Sequence, residues 1–258
     1  MKNQYIFNFK TEISQIKISA ELNNPFATTV PEIAKIAAQE FQDFIKIVSP
    51  SWEYDFHLVK GKMFGVLVVE KEDRSYGYLG TVSGKLPKKA NCAQFIPSVF
   101  DDSTGDFFIN KGMTEITAIR NQIKKTQTLS EITTLKEKSK EKSIALQQRL
   151  FENYHFTSRS GKTKNLIDIF KQSNHTYPPS AAGECAAPKL LQYAIGNQLK
   201  PIALAEFWWG KAIKKKGMHH KAFYPACKNR CLPILEYMLE DFELYNRREQ
   251  FEEGSTDH

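Results

Sequence analysis

Apolar residues in this chain fall into two patterns, one with helical spacing and one nearly continuous. Over residues 31–48, Ile33, Ile36, Ala37, Phe41, Phe44 and Ile45 recur at three- and four-residue intervals behind Pro31, which predicts an amphipathic helix ending before Pro50. Residues 64–69 form a near-continuous apolar run, as in a buried strand, and 76–82 form a second strand. The polar stretch Glu70-Lys71-Glu72-Asp73-Arg74-Ser75 lies between them, so a hairpin is expected. Residues 4–10 read as a short strand, and 84–112, punctuated by Gly84, Pro87, Pro97, Gly105 and Gly112, as loops with short elements. A third apolar run at 201–209 predicts a further strand, flanked by helices over 185–198 and 231–244. A shorter helix is expected at 162–172.

Between these halves the pattern turns polar. Ile116, Ile119 and Ile123 mark one helical face, while Ile132, Leu135, Leu146 and Leu150 are too irregular for a coiled coil. Two helices with a break near 126–130 are expected, forming an exposed arm. The expectation is therefore an α+β fold: a small mixed sheet with packed helices and an inserted polar helical arm. The parts are 1–112, the arm at 113–155, a second core part at 156–245 and an acidic tail at 246–258.

Charge adds to this picture. The formal charge is +7, but residues 236–258 hold eight acidic residues against two arginines, a net of −6, so the other 235 residues carry +13. Much of the excess lies in 124–142 and in 211–221, where Lys211, Lys214, Lys215, Lys216 and Lys221 are the phosphate-contact candidates. An anionic partner such as RNA suits such a surface, and so does a merely solvated face. No apolar run approaches the roughly 20 residues needed to span a bilayer, and the first residues lack the apolar stretch of a secretory signal. No membrane association and a cytoplasmic location are expected.

Three of the four cysteines stand at the starts of the two helices that flank the 201–209 strand: Cys185, Cys227 and Cys231. A helix start is a positive local field that favours the thiolate, the form that binds metal. Zinc prefers four N or S ligands in a tetrahedron, and His220, seven residues before Cys227, is the candidate for the fourth. Two other readings stay open: small buried residues packing helix starts on the sheet, and a reactive thiol site. Cys92 has no partner nearby in sequence and reads as incidental. Glu206 lies inside an apolar strand, where a carboxylate is costly unless paired, so it either faces a site or points outward from an edge strand. Phe207, Trp208 and Trp209 fit core packing, or stacking on exposed bases.

Several longer stretches carry a resemblance. They include Gly61-Lys62-Met63-Phe64-Gly65-Val66, Phe95-Ile96-Pro97-Ser98-Val99-Phe100, Gly183-Glu184-Cys185-Ala186-Ala187-Pro188-Lys189-Leu190-Leu191, Lys200-Pro201-Ile202-Ala203-Leu204-Ala205-Glu206-Phe207-Trp208-Trp209-Gly210 and Phe223-Tyr224-Pro225-Ala226-Cys227. Together they resemble the N-terminal region of long RluA-type RNA pseudouridine synthases over roughly residues 24–240. The resemblance implies an RNA-associated accessory module, with rRNA or tRNA as partner and a separate synthase subunit supplying catalysis. The Arg-Leu-Asp motif of the synthase domain is absent, so this chain is not expected to make pseudouridine by itself. Its helical middle is also shorter than that family's insertion.

The order hairpin, helix with Cys, strand, helix with Pro-x-Cys is also similar to the core of zinc-dependent nucleobase deaminases, which place His or Cys, one residue, then a catalytic Glu on the first helix and Pro-Cys-x-x-Cys on the second. Cys185 matches the first ligand, but Ala187 stands at the Glu position, and the second motif is Cys-x3-Cys. Residues four apart share a helix face, so both sulfurs can reach one ion. A divergent zinc-dependent hydrolase is the alternative function, with Glu184 or Glu206 as its carboxylate.

Overall fold

The computed structural model describes residues 4–86, 92–100, 108–173 and 177–240. Its α+β core is a four-stranded sheet in the order β2-β1-β5-β6, built from β1 (Lys62–Glu70), β2 (Tyr76–Val82), β5 (Lys200–Trp209) and β6 (Phe223–Tyr224). Every pairing is antiparallel, so the sheet is not mixed. Strand direction is set by which edges meet, which local periodicity does not encode. Both β2 and β5 oppose β1 and therefore run parallel to each other. The chain between them crosses over one face of the sheet, and the ends of β2 and β5 lie at the same sheet edge.

Alternation along the strands divides the core in two. Phe64, Val66, Val68, Tyr78, Phe207 and Trp209 pack with α1 (Glu32–Val48), whose buried stripe is Ile33, Ala34, Ala37, Ala38, Phe41 and Ile45. Leu67, Val69, Leu79 and Leu204 face α5 (Ala186–Gly196) and α6 (Lys228–Leu239). Helix α5 comes unusually close because β1 carries Gly65 beneath it. A Cβ there would stand 2.8 Å from the Ala186 Cβ and 3.3 Å from a Leu190 methyl. Gly65→Val is expected to push α5 off the sheet, costing about 1–3 kcal/mol as overpacking does. Thermal melting of the variant checks this.

The start of α5 is further tied to the end of β2. Ala186 donates its N–H to Ser83 Oγ (3.1 Å), and the buried Lys189 ammonium donates to the carbonyls of Val82 (2.6 Å) and Gly84 (3.0 Å). Burial pulls the Lys189 amine down to about 8. Past Glu206, where β6 ends, Asn23 takes over as partner of β5. Its amide accepts from Leu204 N–H (2.7 Å) and donates to Leu204 C=O (3.2 Å).

Inserted before α5 is a helical hairpin, α2 (Phe108–Lys125) and α3 (Leu129–Glu152), broken at 126–128 within the expected region. Lys142 and Glu115 bridge the two helices at 2.6 Å. Four local expectations are corrected. Residues 4–10 form no strand, because Phe7 alone pairs, with Tyr78. The 162–172 segment begins as a strand, β4 (Thr163–Asn165), paired to β3 (His155–Thr157), and only then becomes α4 (Leu166–Gln172), capped by Asn165. Helix α6 starts at Lys228 rather than 231, and α2 starts inside the stretch read as loop. The tail at 246–258 lies outside the described residues. Among the described residues no helix is long and apolar enough to cross a membrane.

Candidate metal centre

The crossover brings α5 back from the end of the sheet where β2 stops, and β6 turns back from the end of β5 to Tyr224, opposite Glu206, before α6 begins, so both helix starts meet near Glu206. Cys185 is the N-cap of α5, Cys227 the N-cap of α6, and Cys231 lies one turn further into α6. The sulfurs are 3.7 Å apart for Cys185–Cys227 and 3.4 Å for Cys227–Cys231, and all three lie within 4.8 Å of one another. Zinc–sulfur bonds of about 2.3 Å in a tetrahedron separate two sulfurs by about 3.8 Å. The spacing therefore fits one ion with little adjustment.

Access is one-sided, since Cys185 and Cys231 are buried and Cys227 is exposed. Contacts with the Cys185 and Cys231 sulfurs push the Cys227 thiol well down, and the Arg230 backbone and charge assist. Contact with Cys227 pushes Cys185 up, contacts with Cys185 and Cys227 push Cys231 up, and burial and the Glu206 charge add to both. The three thiols are coupled, and an ion bound among them would displace their protons. Among the described residues no fourth His, Cys, Asp or Glu atom joins the group.

Glu206 comes from the sheet rather than from a helix. In β5 it is flanked by Gly65 of β1 and Tyr224 of β6, so it is not an outward residue on an edge. Buried beneath α5, its carboxylate accepts the N–H of Ala187 at 3.1 Å, one of the donors that a helix start leaves unpaired. Burial raises its carboxyl to about 7 against the opposing effect of that hydrogen bond, and the Cys227 charge adds to the rise. Ala187 is the position where the deaminase pattern has its Glu.

The other expected residues lie elsewhere. His220 is a correction: it is not in the thiol cluster. Its Nδ1 accepts the N–H of Gly210 at 3.0 Å, and its ring packs 4.6 Å from both Trp209 and His57, with Trp209 belonging to the α1 face of the sheet. The β5–β6 turn carries it there, despite its nearness to Cys227 in sequence. Glu184 turns away, accepting from Tyr154 Oη and from Ser98 Oγ. Phe207 and Trp209 are core residues, while the Trp208 indole donates to the Lys211 carbonyl at 2.8 Å. Lys211, Lys214 and Lys215 are exposed, Lys221 is half-buried, and the Lys216 side chain lies outside the described set. Cys92 lines a separate cavity with Lys189 and Thr81. Comparison with family models, curated proteins and solved structures finds no match to this chain.

Proposed function

We propose that this chain is a zinc-dependent hydrolase of the nucleobase-deaminase type, in which Cys185, Cys227 and Cys231 hold the ion and Glu206 moves protons. One observation carries the reading: three sulfurs at tetrahedral spacing, with no fourth side-chain ligand among the described residues and a buried carboxylate alongside. Structural zinc sites are closed by four protein ligands, whereas catalytic ones keep a position open. Zinc in such a site lowers the pKa of a bound water to about 7. The reaction class replaces an amino group on an aromatic ring carbon by oxygen: water adds, the C–N bond breaks and ammonia leaves. Glu206 takes the proton that water gives up and returns it to the departing amine. Its apolar surroundings suit that role, because a carboxyl poised near neutrality can both accept and donate. Ammonia release from cytidine, adenosine and short RNAs by the zinc-loaded protein tests the assignment. Turnover lost in Glu206→Gln with zinc retained supports it, and zinc binding without turnover on any of these substrates contradicts it.

RNA as the substrate's setting has its own support. The α2–α3 hairpin holds Lys111, Arg120, Lys124, Lys125, Lys136, Lys138 and Lys140 exposed to solvent. This agrees with the resemblance to the N-terminal region of RluA-type synthases, with a separate synthase subunit as partner. Affinity for structured RNA is expected to fall steeply with added salt, by about one unit of log–log slope per phosphate contact. Replacing Lys136, Lys138 and Lys140 by Gln is expected to lower that slope by up to about three. Salt-independent binding, or none, contradicts this second reading.

A further inference from the structure

On the sheet face opposite the thiols, the turn at 53–58 is fastened to the end of β5. Lys211 donates its N–H to the Phe56 carbonyl (2.7 Å) and its ammonium to the Leu58 carbonyl (3.1 Å), while Tyr54 Oη donates to the Lys60 carbonyl (3.2 Å). Gly210, at φ 101°, lets the strands close up, since a Cβ there would stand 2.3 Å from the Phe56 carbonyl oxygen. Asp55 Oδ1 accepts from the N–H groups of His57 (2.7 Å) and Leu58 (3.1 Å), which fixes the turn itself. Between these segments lies a cavity of about 490 Å³, walled by Tyr54, Phe56, His57 and Trp209 and edged by Glu53 and Asp55. His220 backs the ring wall, 4.6 Å from both His57 and Trp209. Ile47, Leu58 and Val59 are 74 %, 73 % and 62 % exposed.

We propose that this cavity binds an amino-bearing nucleobase of single-stranded RNA, with the phosphates held by the neighbouring loop. Phe56 and Trp209 are buried and back the cavity, while the half-buried Tyr54 and the exposed His57 offer stacking faces for a flat ring. Asp55, whose Oδ1 already accepts two backbone N–H groups, has a second carboxylate oxygen that can accept from an exocyclic amino group, as Asp does for cytosine, and its charge repels a phosphate. Lys211, Lys214 and Lys215, exposed on the loop that follows Trp209, supply the positive charge that the backbone of such a strand requires. The inference rests on the RNA-associated reading and is independent of the metal centre.

The test is a fluorescence titration of the full chain with oligoadenylate, oligocytidylate and oligouridylate at several salt concentrations. His57→Ala, at an exposed position, is expected to weaken oligoadenylate binding roughly five- to hundred-fold, as loss of a stacking partner does, without changing the salt slope. Replacing Lys214 and Lys215 by Ala is expected to lower the slope by about one per lysine. Tyr54→Phe, which keeps the ring, retains binding, and oligouridylate, lacking the amino group, binds more weakly than the other two. If the lysine changes weaken binding while His57→Ala and Tyr54→Ala leave it intact in folded protein, the cavity is not the base site and the RNA reading alone survives. If no oligonucleotide binds, both fall.

Discussion

Purified under reducing conditions, the protein is expected to carry one zinc ion per chain, and Cys227→Ser is expected to lose it. The substitution is chosen for what it leaves intact. Residue 227 is exposed and caps α6, and serine is among the best N-caps, so the helix start keeps its structure. What disappears is one of three candidate ligands, the sulfur that lies 3.7 Å from Cys185 and 3.4 Å from Cys231. An ion that binds only the folded chain stabilises it by about 4 kcal/mol at a thousand times its dissociation constant. For a protein of this size that corresponds to a fall in melting temperature of about 8–16 °C on chelation. Cys227→Ser should melt near the chelated wild type and show no further response to chelator. Equal melting of wild type with and without chelator would mean that the three sulfurs merely pack.

The second large effect concerns Glu206 in the metal-free protein. Its carboxyl sits at about 7 in the fold against an ordinary 4.5, a difference of about 3 kcal/mol between protonation states. A raised folded-state value means that the stability is fully present below about 4.5 and is lost as pH rises through about 7. Glutamine cannot titrate, and its amide oxygen can still accept from Ala187. Glu206→Gln should therefore match the wild type near pH 4 and exceed it by about 3 kcal/mol near pH 8. Denaturant melts of both proteins across that range provide the measurement. The difference cancels contributions from groups that do not interact with Glu206. A constant gap at all pH values would place the Glu206 carboxylate in water rather than beneath α5.

Much of this architecture is legible in the sequence where an element buries a long apolar face. The Ile33-to-Ile45 stripe, the two hairpin strands and the 201–209 run all formed as the pattern requires. Elements too short to show a period did not declare themselves: β3 buries Phe156 alone among its three residues, and β6 has only two. Helix α6 begins at Lys228, three residues before the expected 231, and carries Pro233 in its second turn. The thiol cluster was visible because helix starts flanking a strand return to one edge of the sheet. The position of His220 was not, because sequence proximity says nothing about which face of the sheet a turn reaches. Glu206 was half legible: a carboxylate in an apolar strand announces a role, but only the register with Gly65 and the N–H of Ala187 give it one.

The arrangement of Cys185, Cys227, Cys231 and Glu206 is tested most directly by zinc X-ray absorption on the wild-type protein. The account predicts three sulfur neighbours at about 2.3 Å and one oxygen at about 2.0 Å, unchanged in His220→Ala. A fourth sulfur or an imidazole in the shell, or no bound zinc at all, would contradict an open three-thiolate centre.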